Sequence, residues 1–420
     1  MVEPEVKSTI VIVGAGLAGG NAATALREEG FDGRVALLGE EPDPPFGRPP
    51  LSKTYLRGEE DLSGWLVRPA EWYPEHDIDL RTGARVAAID PSARRVSLAS
   101  GEAFDYRSLL IATGARNRRL AIPGADLPGV YQLRTVAECE AIRRAASPGR
   151  HAVVIGMGFI GSEIAASLRM LGLRVTVVFP GRVPLASALG AEVGEALASI
   201  HREHGVELLT EDQAVAFEGS GALEAVVTRR AGRLPCDLAV IGVGVEPEVG
   251  LAERAGLQVD NGILVDEWCR TSVPDVYAAG DVARHQHPLF GRLRVEHYNN
   301  AEKQGRYAAR SMLGTTTPYD YVHSFWSDQY DHTIEYVGFA GRWDRFVVRG
   351  SVAERRFLGF YLAGGALRAV VGLDRGGDPE LEPESELAAC ASMIGERATP
   401  APEALADERV TLRSLAESGG

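Results

Sequence analysis

Two short β-branched runs, each passing straight into a glycine pattern and then an alanine-rich helical stretch, constrain this chain more than any other feature. Residues 9–13 read as a strand buried on both faces. Gly14-Ala-Gly16-Leu17-Ala18-Gly19 follows at once, then a helix over 20–29 and a second strand over 34–38 that ends in Gly39-Glu40-Glu41. The unit returns about 140 residues later as strand 151–155, the turn Gly156-Met-Gly158-Phe159-Ile160-Gly161, helix 162–171 and strand 174–178. One such pattern is weak evidence, but two lodged between strand and helix are strong. The first two glycines permit a tight turn and let backbone N–H groups approach a pyrophosphate. The third lets the helix pack close to its strand, with the positive end of its dipole toward the phosphates. Two units imply two dinucleotides, and FAD with NAD(P)H is the economical pair.

With 420 residues, 45 % apolar and 24 % charged, the chain has the balance of a multidomain globular protein. A net charge of −14 argues against a nucleic-acid partner. No apolar run is long enough to cross a bilayer, and residues 1–8 show no leader-like apolar stretch, so a cytoplasmic protein that is no membrane partner is expected. Only Lys7, Lys53 and Lys303 are lysines, every other basic side chain being Arg. The four cysteines, Cys139, Cys236, Cys269 and Cys390, form no redox or metal spacing and read as inert. His285-Gln-His287 and His201-Arg-Glu-His204 read as solvated histidines rather than ligands, so no metal is expected.

Beyond residue 324 short aromatic and β-branched strands appear at 333–339, 346–348, 357–362 and 366–371, with a helix near 384–393 and a polar tail from 399. The expected fold class is α/β: two Rossmann-like dinucleotide-binding domains plus a C-terminal α+β domain. The boundaries are 1–115 with 248–324 for FAD, 116–247 for NAD(P)H, and 325–420 for the last.

Six segments then fix a resemblance: Arg48-Pro-Pro-Leu-Ser-Lys53, Ala112-Thr113-Gly114, 156–163, Val-Tyr-Ala-Ala-Gly280-Asp281, Val-Glu296-His297-Tyr298-Asn-Asn-Ala301 and Phe-Trp326-Ser-Asp-Gln-Tyr330. The last is the most specific. The chain resembles the FAD-dependent ferredoxin reductases of the putidaredoxin and rhodocoxin reductase type, which share a glutathione reductase-like fold and are related to apoptosis-inducing factor. The resemblance implies that Gly14, Gly16, Leu17, Ala18 and Gly19 hold the FAD pyrophosphate, with Glu40 and Glu41 at the ribose. Arg48 and Arg119 would lie near the phosphates or flavin, Val86 near the adenine, and Ala112, Thr113 and Gly114 along the cofactor. Gly280 and Asp281 would take the ribityl chain, with Glu296, His297, Tyr298, Ala301 and Trp326 lining the flavin. Lys53 and Glu163 would form the catalytic ion pair beside its N5. Gly156, Gly158, Phe159, Ile160 and Gly161 would bind the nicotinamide dinucleotide, whose nicotinamide end Glu163, Val243 and Gly244 would position. Where a carboxylate for the ribose is usual, Phe179-Pro-Gly-Arg182 stands instead, so NADH is expected on family habit and NADPH stays open.

The loop 49–53 holds no cysteine, which separates the chain from disulfide reductases, and no iron–sulfur ligand set is present. Electrons are expected to leave to a separate [2Fe–2S] ferredoxin that feeds a cytochrome P450 or Rieske-type oxygenase. Arg57, Arg68, Arg292, Arg294 and Arg306 are its candidate docking residues on a monomer or weak homodimer. An NAD(H)-gated binding protein like apoptosis-inducing factor, or a quinone or oxygen reductase, are the alternatives.

Overall fold

The strand Ile10–Val13 is the centre of a five-stranded parallel sheet, because all four of its side chains are apolar and both faces can be covered. Ile10 and Ile12 enter one core and Val11 and Val13 the other. It pairs in parallel with Val35–Leu38 on one side and Ser108–Ile111 on the other, and Ile78–Arg81 and Val276–Ala278 complete the edges. The computed structural model describes residues 8–418, so of the leader reading residues 1–7 lie outside the described residues. A second parallel sheet repeats the plan, with His151–Ile155 between Arg174–Val178 and Leu238–Ile241, and Val206–Leu209 and Val130–Gln132 outermost. In both, the chain reverses its direction of travel across the sheet at the glycine strand, which is where doubly wound sheets bind ligands. The helices begin earlier than the sequence suggested, at Leu17–Glu28 and Phe159–Met170, so the third glycine lies inside the first turn.

Contacts divide the chain into two compact units. One holds residues 8–48, Asp61–Arg116 and Val245–Tyr321; the other holds Pro49–Glu60, Asn117–Gly244 and residues 322–418. The second contains an antiparallel five-stranded sheet in the order Ser324–Gln329, His332–Gly338, Ala366–Leu373, Arg356–Ala363, Arg345–Ser351. Its inner face shares a core with the helix Ala186–Glu203 through Leu189, Val193, Leu197 and Ile200. That shared core is why the C-terminal sheet groups with the second parallel sheet. The tail read as aperiodic carries two short helices, Pro402–Ala406 and Leu412–Ser418. Buried Arg349 organises it by donating to the carbonyls of Leu405, Asp407, Glu408 and Val410. Among the described residues no helix is long and apolar enough to cross a membrane.

Half-buried Glu335, on the strand His332–Gly338, has its carboxyl pushed up to about 7 from 4.5. Burial is the main cause, and Asp378, Glu382 and Asp328 add to it against a hydrogen bond from the Gly377 N–H. The folded state therefore holds this proton more tightly than the unfolded chain. The stability it contributes is complete below the ordinary carboxyl range and is lost as pH rises through about 7. Melting temperatures taken from about pH 5 to about pH 8 should fall more steeply for the native protein than for Glu335→Gln.

Candidate functional site

The two glycine turns share one geometry. Gly14 has φ +110°, and a Cβ there would lie 2.2 Å from the Ala112 carbonyl oxygen; Gly156 has φ +103° and would meet the Gly242 carbonyl oxygen at 2.3 Å. A Cβ on Gly19 or Gly161 would strike the carbonyl oxygen of Gly14 or Gly156 at 1.9 and 2.3 Å. Those four positions are glycine because the turn and the helix close on them. Gly16 and Gly158 differ, since a Cβ there would meet nothing within 4 Å. Each is the helix N-cap, offers no side chain to the first-turn N–H groups, and faces open space. That is the cradle a pyrophosphate fills, so both turns fit a dinucleotide.

Around the first cradle, Ala112 is buried, the Thr113 hydroxyl donates to the Glu248 carbonyl at 2.7 Å, and Gly114 has φ +69°. Glu41 is held by the Arg48 guanidinium, which also lies over the Phe46 ring. Glu40 is mostly exposed, 3.7 Å from Arg85, and Val86 opens the strand Val86–Asp90. Helix Tyr298–Met312 packs so closely that a Cβ on Gly305 would meet the Ala18 carbonyl oxygen at 2.2 Å. Ala301 is thereby buried near the cradle, with His297 as the helix N-cap and Glu296 paired to Arg294 just before it. Gly280 and Asp281 form a short 3-10 turn whose Gly280 N–H is taken by Gln304 Oε1 at 2.8 Å. Tyr298 covers Gly47 and meets Trp65 edge to face at 6.1 Å.

In the second unit Lys53 Nζ lies 3.0 Å from Glu163 Oε2, and both side chains are at least nine-tenths buried. Glu163 projects from the helix that opens at Gly158. Its Oε2 also accepts from the Ser52 hydroxyl and its Oε1 from the Ser327 hydroxyl at 2.7 Å. The loop carrying Lys53 is stapled in place. The Cys139 thiol sits on the Leu51 carbonyl, Tyr55 donates to Glu140, and Ser167 donates to the Ser52 carbonyl while accepting from Arg57. Burial pushes the Cys139 and Cys236 thiols up to about 12 and 11, so neither offers a thiolate. Phe159 packs edge to face on Phe325 at 4.8 Å, while Ile160 stays exposed at the mouth of the turn. Phe179 is buried, and exposed Arg182 faces Glu211 at 3.4 Å. Gly244 has φ +92° with Val243 before it, Trp326 lies on the strand Ser324–Gln329, and Arg119 is exposed.

Residues 8–305 match the pyridine nucleotide-disulphide oxidoreductase family, and 324–416 match the reductase C-terminal family. The chain belongs to the pyridine nucleotide-disulphide oxidoreductases. It is 41 % identical over 369 residues to rhodocoxin reductase of Rhodococcus erythropolis, covering 87 % of this chain and 86 % of that one. It is 36 % identical to the ferredoxin–NAD(+) reductase component of the biphenyl dioxygenase system of Paraburkholderia xenovorans, over 97 % and 98 % of the two chains. The crystal structure of the covalent putidaredoxin reductase–putidaredoxin complex superposes with a TM-score of 0.93 at 35 % identity, over 99 % of both chains.

In this oxidoreductase the histidine reading needs correction. The strand Ala283–His287 alternates, so His285 and His287 point inward and are buried rather than solvated. His287 hydrogen-bonds the Tyr321 carbonyl and the Leu289 N–H through its two ring nitrogens, the pattern of a packed neutral imidazole. His201 is likewise buried, and His204 stacks on Tyr330. Four of the five candidate docking arginines are matched by carboxylates: Arg57 by Glu59, Arg68 and Arg306 both by Glu28, and Arg294 by Glu296. Sequence reading missed Ser52, Ser327, Trp65 and Gln304. The first two were legible only as neighbours of flagged residues, and nothing marked the others.

A buried charge left alone costs more than a buried pair gains. Glu163→Ala should therefore lower unfolding stability by about 3–5 kcal/mol, whereas Lys53→Met with Glu163→Leu should fall within about 1–2 kcal/mol of the native protein. Urea denaturation of the three proteins checks this.

Proposed function

We propose that this oxidoreductase is an FAD-dependent NADH:ferredoxin reductase of the cytoplasm, a monomer or weak homodimer that supplies a [2Fe–2S] ferredoxin feeding a P450 or Rieske-type oxygenase. The observation that carries the reading is the occupant of loop Pro49–Glu60: a buried Lys53–Glu163 pair stands where a disulfide reductase would need thiols. All four cysteines are free and buried, so no redox-active thiol of the chain can take the electrons. The relatives named as reductases of rhodocoxin, putidaredoxin and a dioxygenase ferredoxin support a protein acceptor.

The proposed division is FAD on 1–115 and 248–324, NADH on 116–247, and the α+β domain over 325–420. FAD, when bound, supplies a hydride acceptor that can release its two electrons one at a time. Gly14, Gly16 and Gly19 would hold its pyrophosphate, with Glu41, Arg48, Thr113, Asp281 and Tyr298 along its length. Gly156, Gly158 and Gly161 would hold the nicotinamide dinucleotide, and Val243 and Gly244 its reactive end. Lys53 would offer its ammonium in a buried site, and Glu163 with its two hydroxyl donors would hold it in one place. NADH is favoured because Glu211 sits beside Arg182, placing a carboxylate where a 2′-phosphate would need an unmatched cation.

Stopped-flow mixing of the yellow protein with NADH or NADPH tests this. Fast bleaching by NADH, slower bleaching by NADPH, and cytochrome c reduction that depends on added [2Fe–2S] ferredoxin are expected. Cytochrome c, quinone or oxygen reduction at the same rate without ferredoxin would overturn it.

A further inference from the structure

Two segments that stood out in the sequence, the string 325–330 and the pair His201 and His204, meet behind Glu163. Along the strand Ser324–Gln329, Ser327 and Gln329 point to the same buried side. Ser327 Oγ donates to Glu163 Oε1, and Gln329 Nε2 donates to Ser327 Oγ at 3.3 Å. His201 Nε2 meets Gln329 Oε1 at 2.9 Å, and His201 Nδ1 meets the Tyr330 hydroxyl at 3.1 Å. Ser327, Gln329 and His201 are all at most 1 % exposed.

The polarity of this file is forced. Glu163, paired with Lys53, can only accept, so the Ser327 hydrogen is committed to it and a Ser327 lone pair takes the Gln329 N–H. The amide oxygen then needs a donor, which makes His201 the Nε2–H tautomer. Its Nδ1 lone pair takes the Tyr330 hydroxyl hydrogen. Burial pushes His201 down to about 4, so the imidazole stays neutral with one donor and one acceptor, the form this file requires. Reversing any link would leave a buried donor or acceptor unmade. Glu163 is thus held on one oxygen by Lys53 and Ser52 and on the other by the file, which fixes the plane of the carboxylate.

We propose that Ser327, Gln329 and His201 are positioning residues for the hydride step: they set the orientation of Glu163, and through it the place of the Lys53 charge. The proposal rests on the reductase reading of the Lys53–Glu163 pair. It assigns the C-terminal sheet a part in the reaction, because the strand carrying Ser327 and Gln329 belongs to it while Glu163 belongs to the nucleotide helix.

The test uses the FAD-loaded full chain with Ser327→Ala, Ser327→Thr and Gln329→Met. Stopped-flow reduction should show the limiting rate at least about tenfold lower in Ser327→Ala and Gln329→Met, with the half-saturating NADH concentration unchanged. The flavin midpoint potential should shift in the same two variants, and Ser327→Thr should restore both readouts. The 15N spectrum of His201 in the native protein should show the neutral Nε2–H tautomer from about pH 6 to about pH 8. A native rate and potential in Ser327→Ala, no rescue by Ser327→Thr, or an Nδ1–H tautomer would each overturn the proposal. The potential and the 15N spectrum need no NADH. They decide this proposal even where NADH fails to bleach the native protein, an outcome that would overturn the reductase reading instead.

Discussion

One ammonium and one carboxylate, both at least nine-tenths buried, set the terms for the rest of this structure. Burying either alone is prohibitive, and burying both is tolerated only when the remaining lone pairs and protons are matched. Here Ser52 and Ser327 match Glu163, and Ser52 is itself fixed by the bond that its carbonyl accepts from Ser167. The loop bearing Lys53 consequently belongs to the second unit, although its neighbours on both sides in sequence belong to the first. Three further anchors, Cys139 on Leu51, Tyr55 on Glu140 and Arg57 on Ser167, hold that excursion in place. Cys139, whose thiol rests on the Leu51 carbonyl, serves as packing and as a weak donor, which its raised pKa suits.

The two glycine turns are one device used twice, and each fits a large anion. In each, two glycines are there because chain meets chain, and the middle one because nothing does. The open position leaves backbone N–H groups at the helix end facing outward. What surrounds the turns differs. The first is closed by a helix packed through Gly305, and the second stands beside the exposed Ile160.

Much of the fold was legible in the sequence because it rests on period and punctuation. The largely apolar strands of the glycine units and the six glycines of the turns carry their own physical reasons, and the strands at 151–155 and 174–178 have the expected bounds. Helix starts were misjudged because glycine lowers helix propensity, yet the close packing of Gly19 and Gly161 on the preceding turn outweighs it. The histidines were misread because spacing along the chain says nothing about which face of a strand a side chain takes once Ala283–His287 pairs with its neighbours. The tail was unreadable for a like reason, since its order depends on Arg349, about sixty residues away. Of the candidate site, the Lys53–Glu163 pair was expected through resemblance, and the two side chains are paired. His201 lies far from Ser327 and Gln329 in sequence, and only the fold brings the three into one file.

The central claim is that the buried pair serves the reaction rather than adding net stability. Single-turnover flavin reduction by NADH in the Lys53→Met, Glu163→Leu double variant, which leaves no uncompensated charge, tests it most directly. The account predicts a folded yellow protein whose flavin bleaches at least about a hundredfold more slowly than the native one. Bleaching at the native rate would contradict it, and would reduce the pair to a structural contact.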